Sequence, residues 1–147
     1  MKLRSLQGHF GNMNGRKIEF ADGFSHLVLP NGWGKSTLCA FLRVMLYGLN
    51  TARRDTQQAL SDKTRYVPQD EHAMSGRLEI EWNGRAVTIV RQTGKGGPMQ
   101  DFDAFYTDTG EKCRLLTAKN CGQVLLGMGE DAFLSSMMVD GEDMNRP

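Results

Sequence analysis

Residues Pro30-Asn31-Gly32-Trp33-Gly34-Lys35-Ser36-Thr37 constrain the fold more than any other stretch of the chain. Just before them, Asp22-Gly23 marks a turn. Ser25 to Leu29 then carries the run Leu27-Val28-Leu29, the pattern of a strand buried on both faces. Just after them, Leu38, Phe41, Leu42, Met45 and Leu49 follow the spacing of a core-facing helical stripe. The spacing predicts a helix from Lys35 to about Tyr47, with Gly48 as its C-cap. A strand, a turn with two glycines and an amphipathic helix opened by Lys-Ser-Thr therefore follow one another directly.

That order is the context in which a P-loop binds phosphate. Gly32 and Gly34 let the backbone approach an anion without Cβ clashes, and the exposed N–H groups of Asn31, Gly32, Trp33 and Gly34 lead into the positive end of the helix. Lys35 is the candidate point charge on the β- and γ-phosphates. Ser36 is the candidate hydroxyl ligand of Mg²⁺, and Thr37 reaches toward the α-phosphate. The expected ligand is Mg-ATP. One position departs from the full G-x-x-x-x-G-K-[ST] pattern: its first glycine is replaced by Leu29.

Elsewhere the pattern is β-rich. Lys2 to Gln7 and Lys17 to Phe20 alternate around the turn formers of residues 8–15, predicting two antiparallel strands. Residues 51–70 are polar and predict a surface loop. Leu78, Ile80 and Trp82 alternate, Asn83-Gly84 supplies a type I′ turn, and Val87 and Ile89 alternate back, so Arg77 to Arg91 reads as a hairpin with one apolar face. Gly94 to Pro98 interrupts the pattern, and Phe102 to Leu116 reads as a second hairpin around Asp108-Thr109-Gly110. Helices are expected from about Thr117 to Leu126 and near Glu130 to Ser136, before an apolar stub at Met137-Met138-Val139.

At 147 residues, with 39% apolar and 24% charged residues, the chain is sized for one globular domain. Its net charge of +1 advertises neither nucleic acid nor membrane. Cys39, Cys113 and Cys121 are odd in number and lack CxxC spacing, which points to free buried thiols rather than disulfides or zinc. His9, His26 and His72 are scattered and suggest no metal cluster. Met1 to Asn12 has no apolar leader, and no apolar run approaches the about 20 residues of a membrane span, so a cytoplasmic chain is expected.

Met1-Lys2-Leu3, Phe10-Gly11, Glu19-Phe20, Gly23, residues 30–38 and the helix running into Leu46-Tyr47-Gly48-Leu49 together resemble the N-terminal ATPase lobe of the SMC family and its RecF-like and SbcC-like relatives. The resemblance implies an α/β fold: an ABC/SMC-type P-loop NTPase lobe with a mixed sheet, an antiparallel β subdomain and a P-loop helix. It implies one lobe over residues 1–147, divided into strands, P-loop and helix at 1–50, a loop at 51–76, β-hairpins at 77–116, and helices with a strand stub at 117–147. It also implies a role in DNA repair or chromosome maintenance, with a C-terminal lobe or second protomer as partner. DNA contact is left open, since no basic-aromatic stripe stands out. Such ATPases complete their site with a signature motif, a Walker B Asp-Glu pair and a switch histidine from a second lobe. The sequence to Pro147 has no heptads and no Leu-Ser-Gly-Gly-type stretch, so a half-site is expected.

Relatives bring a glutamine to Mg²⁺ near the final strand, where this chain has Asp140. An apolar strand ending in Asp is also the Walker B pattern, so Asp140 is a candidate metal and catalytic residue beside Lys35. The other reading of Asp140, with Glu142 and Asp143, is a solvated acidic tail. Arg53 and Arg54 either reach a partner lobe or are solvated, and Trp33 either packs or contacts a second protomer. Two other functions compete with an ATPase half-site: a nucleotide-gated dimerisation module that does not hydrolyse ATP, and a small P-loop kinase. The β-rich centre disfavours the kinase, and Ala118-Lys119-Asn120-Cys121 is no GTPase base-reading motif.

Overall fold

Leu3 and Leu6 stand an odd number of residues apart, so strict alternation would send them to opposite faces of a strand. In the computed structural model, which describes residues 1–24, 35–50, 66–133 and 135, both are buried. The reason is a register shift between Leu3 and Ser5, present in the pairings to both neighbouring strands, that turns the backbone by one residue. This strand, β1 (Lys2–His9), pairs with β2 (Lys17–Phe24) on one side and with β3 (Ser75–Trp82) on the other.

β3 continues into β4 (Arg85–Gly94) in unbroken register from Ser75↔Gln92 to Trp82↔Arg85. Asn83 and Gly84 have φ of 53° and 76°, the paired positive values of a type I′ turn. β5 (Gly97–Tyr106) returns along β4, giving a five-stranded sheet of order β2-β1-β3-β4-β5. The interruption at Gly94 to Pro98 is therefore a hairpin turn. The expected second hairpin beyond Tyr106 shrinks to a turn with an isolated Phe105↔Lys112 bridge.

Helix α1 (Lys35–Tyr47) lies across this sheet with Leu38, Phe41, Leu42 and Met45 buried, as their spacing predicts. Gly8 and Gly76 are register partners on β1 and β3. A Cβ on either would come within 2.6 Å of Phe41 Cε1, and one on Gly76 within 2.4 Å of Met45 Sδ. The paired glycines thus form the groove that seats the Phe41 ring. Gly48, with φ of 94°, ends the helix and donates its N–H to the Val44 carbonyl. Helix α2 (Cys121–Leu126) is shorter than the span expected from Thr117, because Thr117 and Asn120 bond each other's backbone N–H groups in a turn before it.

The expected α/β class is corrected. All pairings in the sheet are antiparallel, and the described helices are short, so a P-loop NTPase lobe with a mixed sheet is not what these residues build. The physical cause is connection length. Asn83-Gly84 and Lys95-Gly96 are two-residue turns, which can only join antiparallel neighbours, whereas parallel neighbours need a crossover of about a dozen residues or more. The long connection from β2 to β3 also returns its strand antiparallel to β1. The expected strand at Ser25 to Leu29 and the stub at Met137-Met138-Val139 lie outside the described residues, as do Arg53 and Arg54. No helix among the described residues is long and apolar enough to cross a membrane.

Candidate functional site

Of the residues singled out for phosphate and metal binding, Lys35, Ser36 and Thr37 form the opening turn of α1. Asn31, Gly32, Trp33, Gly34 and Asp140 lie outside the described residues. The first turn of α1 holds no acidic side chain, so no carboxylate on it offsets the positive end of the helix.

What surrounds that end follows from β1. Past His9 the chain turns through Phe10, which is fully buried, stacks on Tyr66 with centroids 4.9 Å apart and meets Phe41 edge-on at 5.5 Å. Gly11 then lies against Thr37, whose Cγ2 would be 3.1 Å from a Cβ at that position. The Gly11 N–H donates to the Tyr66 carbonyl at 2.8 Å, and the Gln69 N–H donates to the Gly11 carbonyl at 3.0 Å. Two backbone bonds and an aromatic stack therefore hold residues 66–69 beside the first turn of α1.

Continuing from that anchor, Asp70 and His72 meet His9. His9 Nδ1 lies 2.6 Å from Asp70 Oδ2, and the His72 N–H donates to Asp70 Oδ1 at 3.2 Å. The two imidazoles stack with centroids 4.3 Å apart and planes inclined by 22°. Burial alone would raise the Asp70 carboxyl's pKa. The hydrogen bonds from His9 and His72, with the adjacent rings, outweigh it and hold the carboxyl below its ordinary range. The expectation of scattered histidines is corrected here, because the fold brings His9 and His72 into contact. A separation of 61 residues between His9 and Asp70 leaves no spacing signal in the sequence.

At the other end of α1 a cavity of about 410 Å³ opens between Tyr47, Leu49, Arg91, Gln100, Lys119 and Glu130. Arg91 is 2% exposed and donates from Nε to the Met45 carbonyl and from Nη2 to the Ala118 carbonyl, at 2.8 and 3.0 Å. Its guanidinium carbon sits 4.7 Å from the centre of the Phe102 ring. Burial lowers the Arg91 pKa and pushes the neighbouring Cys121 thiol up to about 11, with Arg91 itself acting to pull that thiol back down. Arg91 is thus a clamp on the C-terminal end of α1. None of the three cysteines forms a disulfide; Cys113 and Cys121 are buried as expected, whereas Cys39 is only half-buried.

No protein-family model matches the chain, and no curated protein matches it.

Proposed function

We propose that this chain is the ATP-binding half-site of an SMC-like ATPase, acting in the cytoplasm in DNA repair or chromosome maintenance and depending on a second lobe or protomer for hydrolysis. The observation that carries the reading is the start of α1. The helix opens at Lys35, directly after Asn31-Gly32-Trp33-Gly34 in the sequence, and runs 13 residues with Ser36 and Thr37 in its first turn. The reading rests on that residue order and not on the architecture of the sheet.

In this reading the backbone N–H groups of Asn31, Gly32, Trp33 and Gly34 surround the phosphates, and Lys35 places its charge on the β- and γ-oxygens. Ser36 contributes a hydroxyl to Mg²⁺, Asp140 a carboxylate, and Thr37 bonds nearer the α-phosphate. Phosphoryl transfer is catalysed by positioning and by charges set around the γ-phosphate. The residues assigned here supply one side of that arrangement. The signature motif and the catalytic glutamate would come from the partner, so bound ATP persists.

The test is the fate of γ-labelled ATP mixed with the purified chain and Mg²⁺, with Lys35→Ala as control. Intact ATP retained by wild type and not by the variant is the expected result. Release of labelled phosphate at roughly 1 per second or faster, abolished in Lys35→Ala, would show that the chain completes its own site and would end the half-site reading.

A further inference from the structure

His9 ends a strand, while Asp70 and His72 belong to a separate segment, yet one ligand-capable atom from each lies within 4.8 Å of the others. We propose that His9, Asp70 and His72 form a binding site for a zinc-class divalent transition-metal ion that fastens the segment of residues 66–72 to the end of β1.

The donor set is two imidazole nitrogens and one carboxylate oxygen. Three protein ligands of this kind suit zinc, cobalt or nickel and leave further positions to water; magnesium and calcium prefer all-oxygen sets. The donors are close enough for one ion, and the stacked imidazoles would turn about their side-chain bonds to point their nitrogens at it. Around a tetrahedral zinc with bonds of about 2.0–2.1 Å, ligand atoms stand about 3.4 Å apart. The two imidazoles face different oxygens of the Asp70 carboxylate, His72 Nδ1 at 3.5 Å from Oδ1 and His9 Nδ1 at 2.6 Å from Oδ2. One donor atom from each residue lies within 4.8 Å of the others, so binding through a single oxygen would draw the donors together by up to about 1.4 Å. The ion takes the place of the hydrogen now shared between His9 Nδ1 and the carboxylate, and the imidazole proton then resides on Nε2.

Two local features hold the donors together. Glu71, between Asp70 and His72, has φ of 66°, a left-handed conformation uncommon for a residue with a side chain. That turn brings the His72 N–H and ring back over Asp70, and such strain persists only where surrounding contacts hold it. Gly15 faces the His9 ring, where a Cβ would be 2.8 Å from its Cε1, so only glycine leaves the ring its seat. The Asp70, His9 and His72 side chains are 18%, 31% and 65% exposed, which lets an ion enter from solvent. The segment is also bonded to Gly11, itself packed on Thr37, so the ion would brace the flank of the α1 N-terminus.

The experiment is calorimetric titration of the full chain with zinc after chelator treatment, without nucleotide, so that its outcome is separate from ATP binding. A parallel titration uses Co²⁺ and reads its visible absorption. One saturable ion per chain is expected, with absorption of the intensity given by four- or five-coordinate cobalt. His72→Ala and Asp70→Asn should each weaken binding by at least about 10- to 100-fold, the loss that even outer-shell partners of a metal cause. His72 is exposed, so its replacement should leave the circular dichroism spectrum of the fold unchanged. Absence of saturable binding to the wild-type chain, or equal binding by His72→Ala, would overturn the site.

Discussion

Replacing Arg91 by alanine should cost about 3–4 kcal/mol of folding stability. Met45 lies in the last turn of α1, where carbonyls lack intrahelical partners, and Ala118 belongs to the turn before α2. Each carbonyl accepts from Arg91, and leaving one buried without a donor costs about 1–3 kcal/mol. Loss of the guanidinium from the Phe102 face adds about 1 kcal/mol, and loss of the aliphatic stem leaves space beside α1. Against these stands relief from burying a cation, whose cost is visible in the lowered pKa of Arg91. It faces two backbone carbonyls and the Cys121 thiol, whose raised pKa keeps it neutral at ordinary pH, so no anion is stranded when it is removed. Arg91→Met keeps the volume and should lose about 1–2 kcal/mol less. Arg91→Lys should fall between wild type and alanine, since one ammonium cannot reproduce the guanidinium's fork. Urea unfolding followed by circular dichroism reads all three, with the m-value as a check that the transition is unchanged. Arg91→Ala within about 1 kcal/mol of wild type would refute the clamp.

Three further outcomes follow from the packing. Phe41→Ala should lose about 3–5 kcal/mol by the same unfolding assay, because the ring is wholly buried between α1 and the sheet; a loss under about 1 kcal/mol would contradict its central place. Gly76→Ala should cost about 1–3 kcal/mol, since its Cβ meets Met45 and Phe41, whereas Gly84→Ala has nothing to strike and should register only the strain of its positive φ. Cys121, with its thiol pKa raised to about 11, should be alkylated slowly at neutral pH, and its rate should climb through pH 9–10 without levelling; a plateau below pH 9 would contradict its burial. The same shift sets a sign. Because the folded pKa lies above that of the unfolded chain, the stability contributed is full below about pH 9 and is lost as pH rises toward 11.

Where local chemistry decides the structure, the sequence was legible. Asn83-Gly84 specifies its turn type through two positive φ values, and the alternation of Leu78, Ile80, Val87 and Ile89 then specifies which face is buried. The Leu38, Phe41, Leu42, Met45 stripe likewise defines α1, because a helix buries whatever recurs on one side. Features that depend on distant partners were not legible. Gly8 and Gly76 look like loop glycines until β1 and β3 are paired, when they become the seat of Phe41. Gly94 to Pro98 read as a break because glycines weaken a strand pattern, although β5 pairs back along β4 from Gly94↔Gly97 and, after a register shift, from Gln92↔Asp101 onward. The mixed sheet came from family resemblance, and the described strands settle on antiparallel pairing through their short turns. Within the candidate site, the Lys35-Ser36-Thr37 helix start was readable from motif and periodicity, whereas the His9, Asp70 and His72 cluster exists only in three dimensions.

The most direct test of the account is calorimetric titration of Mg-ATP into the wild-type chain and into Lys35→Ala. Lys35 opens α1 at its positive end and is the proposed charge on the β- and γ-phosphates. Removing that charge-assisted contact should cost on the order of 1.5–3 kcal/mol, or roughly 10- to 100-fold in affinity. Saturable binding of one Mg-ATP by wild type, weakened by that factor in the variant, is the predicted result. Equal affinity in the two proteins, or no saturable binding by wild type, would contradict the assignment of the α1 N-terminus as a nucleotide phosphate site.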